Sequence, residues 1–216
     1  MSQASAHRTF DDRFAPESAV IVLLAAGESR RYGGIKQLAD IEGQPMVRRA
    51  ACTALDTGAK VIVVTGSHAD EIAAALADLP LLITYNPAWR DGMGSSLAAG
   101  IRHLHDQFPL ASGALLCLAD QPLLGASWLV DLLKRHGRKP GLILATEQAG
   151  VAGPPVLFPR DCFADLMRWS GADGAQALLK READRLERFP CDTGIDIDTP
   201  EDLQRALAQL AANRLA

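Results

Sequence analysis

Short apolar runs rich in β-branched residues alternate along this chain with stretches of helical periodicity, and that alternation limits the fold more than any other feature. Ala19–Leu24, Lys60–Thr65 (KVIVVT), Leu81–Thr84, Ala114–Leu118 and Leu142–Ala145 read as buried strands. Between them Pro45–Thr57, His68–Ala77, Ser95–His105 and Trp128–His136 read as helices, the first opening near Pro45 and closing at Gly58. Strands separated by single helices pair in parallel, because a parallel connection needs a crossover that a helix supplies. The expectation is an α/β protein, a single three-layer α/β/α domain with a mostly parallel sheet.

Beyond Ala145 the pattern loosens. Pro155–Phe158 and Ile195–Ile197 are expected as short strands and Asp173–Arg181 as a helix. Thr199 is expected to cap a last helix with Pro200 at its first position, Glu201 and Asp202 in its first turn, and an apolar stripe at Leu203, Leu207 and Leu210. No internal repeat or low-complexity linker interrupts the 216 residues, so residues 19–216 read as one domain and residues 1–18 as a poorly ordered arm.

The formal net charge of -4 argues against a general partner among nucleic acids or anionic membranes, both of which reward a basic face. No apolar run approaches the length of a membrane span, and the charged N-terminus lacks the core of a signal peptide. Cys52, Cys117, Cys162 and Cys191 form no CxxC pair, so neither a zinc site nor a disulfide framework is expected, and a cytoplasmic setting fits.

The segment Leu23–Leu38, LLAAGESRRYGGIKQL, carries the chemistry. An apolar strand runs into Gly27, followed by Gly33, Gly34 and Lys36. Glycines permit sharp turns and close backbone approach, so that N–H groups converge on anionic oxygens, and Arg30, Arg31 and Lys36 add positive charge. In α/β sheets, ligands gather at the carboxyl ends of strands. Neither GxGxxG nor GxxxxGK[ST] is present, which counts against a Rossmann dinucleotide site and a P-loop. A solvated basic turn is the plain structural alternative.

Three further constellations follow. Asn86-Pro-Ala-Trp89 and Gly92-Met-Gly-Ser-Ser-Leu97 lie between the third strand and a helix, where a serine N-cap would suffice as explanation. Asp120-Gln-Pro122 places a carboxylate just past a buried strand, and carboxylate oxygens suit Mg2+, though Asp before Pro is common in turns. Asp196 and Asp198 flank Ile197, so in a strand both carboxylates would face one side, and alternation does not choose between them.

These segments together resemble, in order, the motifs of the molybdenum cofactor nucleotidyltransferases within the glycosyltransferase-A-like nucleotidyltransferase superfamily. Ser29, Arg31, Gly33 and Lys36 fall on the L-A-A-G-x-S-x-R-x-G-x-x-K pattern, while Tyr32 replaces its commoner methionine. Gly153–Phe158 resembles a G-x-P-x-L-F segment near the acceptor, with Pro154 where histidine is frequent, and the NPxW and GMxxSL segments resemble the cytidylyltransferase branch.

The resemblance implies a Rossmann-like nucleotidyltransferase fold that joins a nucleoside monophosphate to a phosphorylated acceptor, releasing pyrophosphate. It implies Lys36, Arg31 and Asp120 as catalytic residues. Leu24, Ala25, Ala26, Gly27, Ser29, Gly92 and Ser96 would line the nucleotide with Arg31, Lys36 and Asp120. Asp120 with Asp198 or Asp196 would hold Mg2+. It further implies CTP as donor, molybdopterin carrying molybdenum (the molybdenum cofactor) as acceptor, and a molybdoenzyme that receives the product. A sugar or polyol phosphate as acceptor, and a chaperone that carries molybdenum cofactor without turnover, remain alternatives.

Overall fold

A computed structural model describes residues 18–171, 175–191 and 196–215. The expected N-terminal arm, apart from Ser18, lies outside the described residues, as do Asp173 and Ile195. The strands are β1 (Val20–Leu24), β2 (Asp40–Ile41), β3 (Gln44–Pro45), β4 (Val61–Thr65), β5 (Leu82–Tyr85), β6 (Gly113–Leu118), β7 (Ile143–Gln148), β8 (Val151–Pro159) and β9 (Leu186–Pro190). The helices are α1 (Met46–Leu55), α2 (Ala69–Leu76), α3 (Met93–Gln107), α4 (Ala126–Arg138), α5 (Phe163–Leu166), α6 (Gln176–Arg181) and α7 (Pro200–Leu215).

The main sheet has seven strands in the order β5-β4-β1-β6-β8-β7-β9. β1 pairs in parallel with β4 and β6, β4 with β5, and β7 with β9; only β8 runs antiparallel, against both β6 and β7. β2 and β3 form a small separate ribbon.

Period-2 alternation sorts β1 between two cores. Val20, Val22 and Leu24 face α3 (Leu97, Ile101, Leu104), α5 (Phe163, Leu166) and α6 (Leu178, Leu179). Ile21 and Leu23 face α1 (Val47, Ala51, Ala54), α2 (Ile72, Leu76) and α4 (Leu129, Leu132, Leu133). The result is the expected three-layer α/β/α arrangement, with each buried Leu or Ile contributing about 1.5–3 kcal/mol of hydrophobic stabilisation. Gly100 sets how closely α3 approaches: a Cβ there would lie 2.5 Å from Val22 Cγ1 and 2.9 Å from Val64 Cγ2.

Three expectations change. The Pro155–Phe158 strand is the second half of the longer β8, which passes Pro154 and Pro155 because the register against β7 shifts between Ala145 and Thr146. Across that irregularity the prolines owe no ladder hydrogen bond. Asp196–Asp198 form no strand: Ile197 is fully buried and donates its N–H to Asp120 O at 2.9 Å, but no ladder follows. α3 begins at Met93 with Gly92 as N-cap at φ 99°, so Ser95 and Ser96 sit inside the first turn and do not cap it.

α7 starts as expected at Pro200. Thr199 Oγ1 accepts from the Asp202 N–H (3.2 Å) while the Asp202 carboxylate accepts from the Thr199 N–H (2.8 Å), a reciprocal capping box. Leu203, Leu207 and Leu210 pack with Ile41, Met46 and Ile197. This apolar contact anchors the Asp196–Asp198 segment beside β6. Among the described residues no helix is long and apolar enough to cross a membrane.

Candidate active site

β1 leads through α1 to β4 on one side, whereas β6 lies on its other side, so the strand order reverses between β1 and β6. At such a switch point the connecting loops separate and leave a crevice beyond the strand ends. An open cavity of about 400 Å3 occupies that place. Leu24, Ala25, Ala26, Gly27 and Ser29 line it from the β1 side, Asp120 from the β6 side, Gly92 and Ser96 from the start of α3, and Lys36 and Asp198 close it.

The loop after β1 is tied down by its carbonyls. Ala26 O accepts from Ser67 N (3.2 Å), Ser29 O from Tyr32 N (3.0 Å) and Gly27 O from the Gln37 side chain (2.8 Å). The N–H groups of Ala26, Gly27, Glu28, Ser29 and Arg30 have no acceptor among the described residues. Backbone donors left in this way need water or a ligand, and consecutive ones form a cradle for an anion.

Lys36 lies in a single 3-10 turn (Lys36–Leu38) and is buried. Its ammonium donates to Asp120 Oδ2 at 2.7 Å, Asp198 Oδ1 at 2.9 Å and Ile197 O at 3.0 Å. Burial alone lowers the pKa of this ammonium, but the two carboxylates outweigh it and raise the value above that of an ordinary lysine. Lys36 is therefore a fixed positive charge in the cavity wall. Packing does matter to it, contrary to what its Gly-rich surroundings suggest.

Not every expected residue reaches the cavity. Arg31 Nη2 donates to Asp198 Oδ2 at 2.7 Å and does not line the cavity. Asp196 also lies outside the lining; it is exposed, and its Oδ1 accepts from Gln121 Nε2 at 2.9 Å. Asp198 and Asp120 are thus brought together around one cation, whereas Asp196 bonds to Gln121 and feels that group only through its charge, burial and the neighbouring Asp120 and Asp198 raising its pKa. The geometry favours Asp198 where alternation left the choice open.

The Asn86–Trp89 segment, singled out in the sequence, acquires a definite structural role, and Arg90 joins it. Asn86, buried at the end of β5, donates to Ser95 Oγ (2.9 Å) and Ser96 Oγ (3.0 Å) and accepts from Ala88 N (3.0 Å). It holds the Asn86–Ser96 loop shut over the start of α3. Arg90 stacks its guanidinium 4.2 Å from the Trp89 ring centre, and both line the cavity with Met93 and Arg30. Ala26 lines the cavity and packs tightly beside Gly66, where an added Cβ would come within 2.8 Å of the Ala26 methyl. Of these side chains Arg90 alone was passed over in the sequence, where nothing in residue type separates it from an ordinary loop residue.

A divalent cation fits the donor set. Asp120 and Asp198 present hard carboxylate oxygens to a single cationic atom, and Asp120 Oδ1 is buried without a hydrogen-bond partner among the described residues. A phosphate-sized anion fits the loop amides and Lys36.

Comparison with known proteins places the chain in a family. The family model of the MobA-like NTP transferase domain matches residues 21–186. The chain is 34% identical over 199 residues to nicotine blue oxidoreductase of Paenarthrobacter nicotinovorans, covering 86% of this chain and 95% of that protein. It is 26% identical over 185 residues to molybdenum cofactor cytidylyltransferase of Escherichia coli, covering 84% of this chain and 91% of the relative. Among solved structures, a manganese complex of Rv0371c from Mycobacterium tuberculosis H37Rv superposes with a TM-score of 0.72 at 26% identity, covering 88% of this chain and 98% of that one.

Proposed function

The chain belongs to the MobA-like NTP transferase family, and from that premise we propose that it transfers CMP from CTP to the phosphate of molybdenum cofactor, releasing pyrophosphate. Residues 19–216 act as one cytidylyltransferase domain working in the cytoplasm, where its thiols stay reduced. The observation that carries the transferase reading is that the glycine-containing loop after β1, Lys36 and two carboxylates line one cavity. The cytidylyl and molybdopterin assignments draw support from the relative of that name and from the NPxW and GMxxSL segments.

In the proposed reaction an acceptor phosphate oxygen attacks the α-phosphorus. A new P–O bond forms, and the bond to the bridging oxygen breaks with its electron pair leaving on pyrophosphate. The acceptor is already anionic, so no side chain need take a proton. The amides of residues 26–30 hold the triphosphate, and Lys36 offsets charge as pyrophosphate departs; such preorganised donors are worth about 2–4 kcal/mol each. Asp120 and Asp198 would hold Mg2+, which would supply charge neutralisation. Arg31 fixes Asp198 from the solvent side, a different role from direct contact with the triphosphate. A molybdoenzyme would take up the product.

A second reading, oxidoreduction of the kind for which the 34% identical relative is named, is favoured by that relative alone. The test is a panel with Mg2+ and CTP in which molybdenum cofactor, sugar phosphates and polyol phosphates are compared as acceptors, followed by pyrophosphate release. A parallel arm offers NAD(P)H and nicotine blue. Pyrophosphate release only with molybdenum cofactor supports the proposal. Release with a sugar or polyol phosphate moves the acceptor, binding of the cofactor without release indicates a carrier, and oxidation of NAD(P)H without release indicates a reductase.

A further inference from the structure

Gln37 follows Lys36 in the chain, matches none of the motif positions, and is nine-tenths buried with 3% of its surface exposed. Its side chain is spent entirely on the loop after β1. Nε2 donates to Gly27 O at 2.8 Å and more weakly to Ala25 O at 3.5 Å, while Oε1 accepts from Ser29 Oγ at 2.8 Å. The amide can point only one way, because reversing it would set Oε1 against the Gly27 carbonyl, two acceptors face to face. Ser29 meanwhile sits at φ 60°, a left-handed conformation that a residue with a Cβ adopts only when its surroundings enforce it. The Gln37 amide is the group that grips Ser29 by its side chain.

We infer that Gln37 is the positioning residue of the nucleotide site: by tying back the Ala25 and Gly27 carbonyls and clamping Ser29, it fixes the loop with its five amides, unpaired among the described residues, free for phosphate. The inference rests on the reading of this loop as a triphosphate cradle. It also explains a coupling within the chain. Lys36 and Gln37 share one turn, so the charge that meets the phosphates and the strut beneath their cradle are set by the same three residues. A loop without the strut keeps its residues but must be ordered by the ligand, so affinity falls for the phosphates and not for the nucleoside.

The test compares the full-length parent with Gln37→Met, Gln37→Glu and Ser29→Ala. Gln37→Met keeps the volume and removes the hydrogen bonds. Gln37→Glu keeps the acceptor for Ser29 but opposes the Gly27 carbonyl. Ser29→Ala removes a single link outside the core and so carries the test if Gln37 variants fail to fold. Binding of CTP and of cytidine is measured by calorimetry and ligand-observed NMR, beside kcat and KM.

Expected is a weakening of CTP by about tenfold in Gln37→Met and more in Gln37→Glu, with kcat/KM down by roughly 100-fold and cytidine affinity unchanged. Ser29→Ala should lose about threefold, the scale of one neutral hydrogen bond. A CTP to cytidine affinity ratio equal to the parent's in every folded variant overturns the role of Gln37 while leaving the site intact. A parent that binds neither CTP nor another nucleoside triphosphate overturns the site reading and this inference with it.

Discussion

Lys36 Nζ sits 2.7 Å from Asp120 Oδ2, a part-buried ion pair that joins the loop after β1 to the end of β6 across 84 residues of sequence. Asp198 completes the arrangement from the segment before α7. Three regions of the chain thus meet at one ammonium group.

Asp120→Asn should abolish transfer while leaving the fold intact. The amide keeps the shape and a carbonyl oxygen, but it loses the charge that holds a divalent cation. The expected cost is several kcal/mol, at least roughly 100-fold in kcat, with a higher requirement for Mg2+. Steady-state rates across a Mg2+ titration check it, and activity within twofold of the parent would remove Asp120 from the mechanism.

Lys36→Ala is expected to harm both turnover and stability, because the structure buries this lysine between two carboxylates. Turnover should fall by about 2–4 kcal/mol in transition-state terms. Stability should fall by about 1–3 kcal/mol, since Asp120 and Asp198 are left facing one another without a counter-charge. A divalent cation should recover part of the lost melting temperature in this variant. A melting temperature equal to the parent's would show that the pair contributes nothing to the fold.

His136 supplies a pH dependence remote from the site. It is buried in α4, its Nε2 lies 2.9 Å from Ser112 Oγ, and its Nδ1 has no partner among the described residues. Burial lowers its pKa below 6.5, with a hydrogen bond to the Ser112 backbone opposing the shift. The folded state therefore binds fewer protons than the unfolded state just below pH 6.5. The contribution to stability is fully present above that pH and is lost as pH falls toward the folded value, with a slope of up to ~1.4 kcal/mol per pH unit. Denaturation of the parent and of His136→Gln between pH 5 and 8 should give curves that converge at acid pH, and parallel curves would contradict the assignment.

Ala26→Gly tests the base preference. The proposal expects CTP to exceed GTP in kcat/KM with the same acceptor, and removal of the Ala26 methyl to relax the preference by about 1–3 kcal/mol. The same methyl packs beside Gly66, so the two contributions are separated by measuring stability alongside selectivity. Equal use of CTP and GTP by the parent would refute the cytidylyl assignment and leave the broader transferase reading standing.

Much of this architecture was legible in the residues. β1, β4 and β6 are uninterrupted apolar runs buried on both faces, and such runs announce parallel strands. β9 escaped because LERFP is a charged edge strand ending in proline, with no alternation to read. β2 and β3 escaped because two residues make no period. Half of β8 was hidden by Pro154 and Pro155, whose place in a strand depends on a register shift visible only in three dimensions. At the site, Lys36, Asp120 and Gly27, which line the cavity, stand out in local sequence pattern. The separation of Asp198 from Asp196, the retreat of Arg31 to Asp198 and the strut at Gln37 depend on contacts between segments up to 167 residues apart.

The most direct measurement follows the α-phosphorus. The protein is incubated with Mg2+, molybdenum cofactor and CTP labelled at the α-phosphate, and the products are separated. The account predicts that label moves to the acceptor in equal amount with pyrophosphate formed, and that Asp120→Asn stops both. Label that stays in CTP, or appears as free CMP in amounts independent of the acceptor, would contradict nucleotidyl transfer by this site.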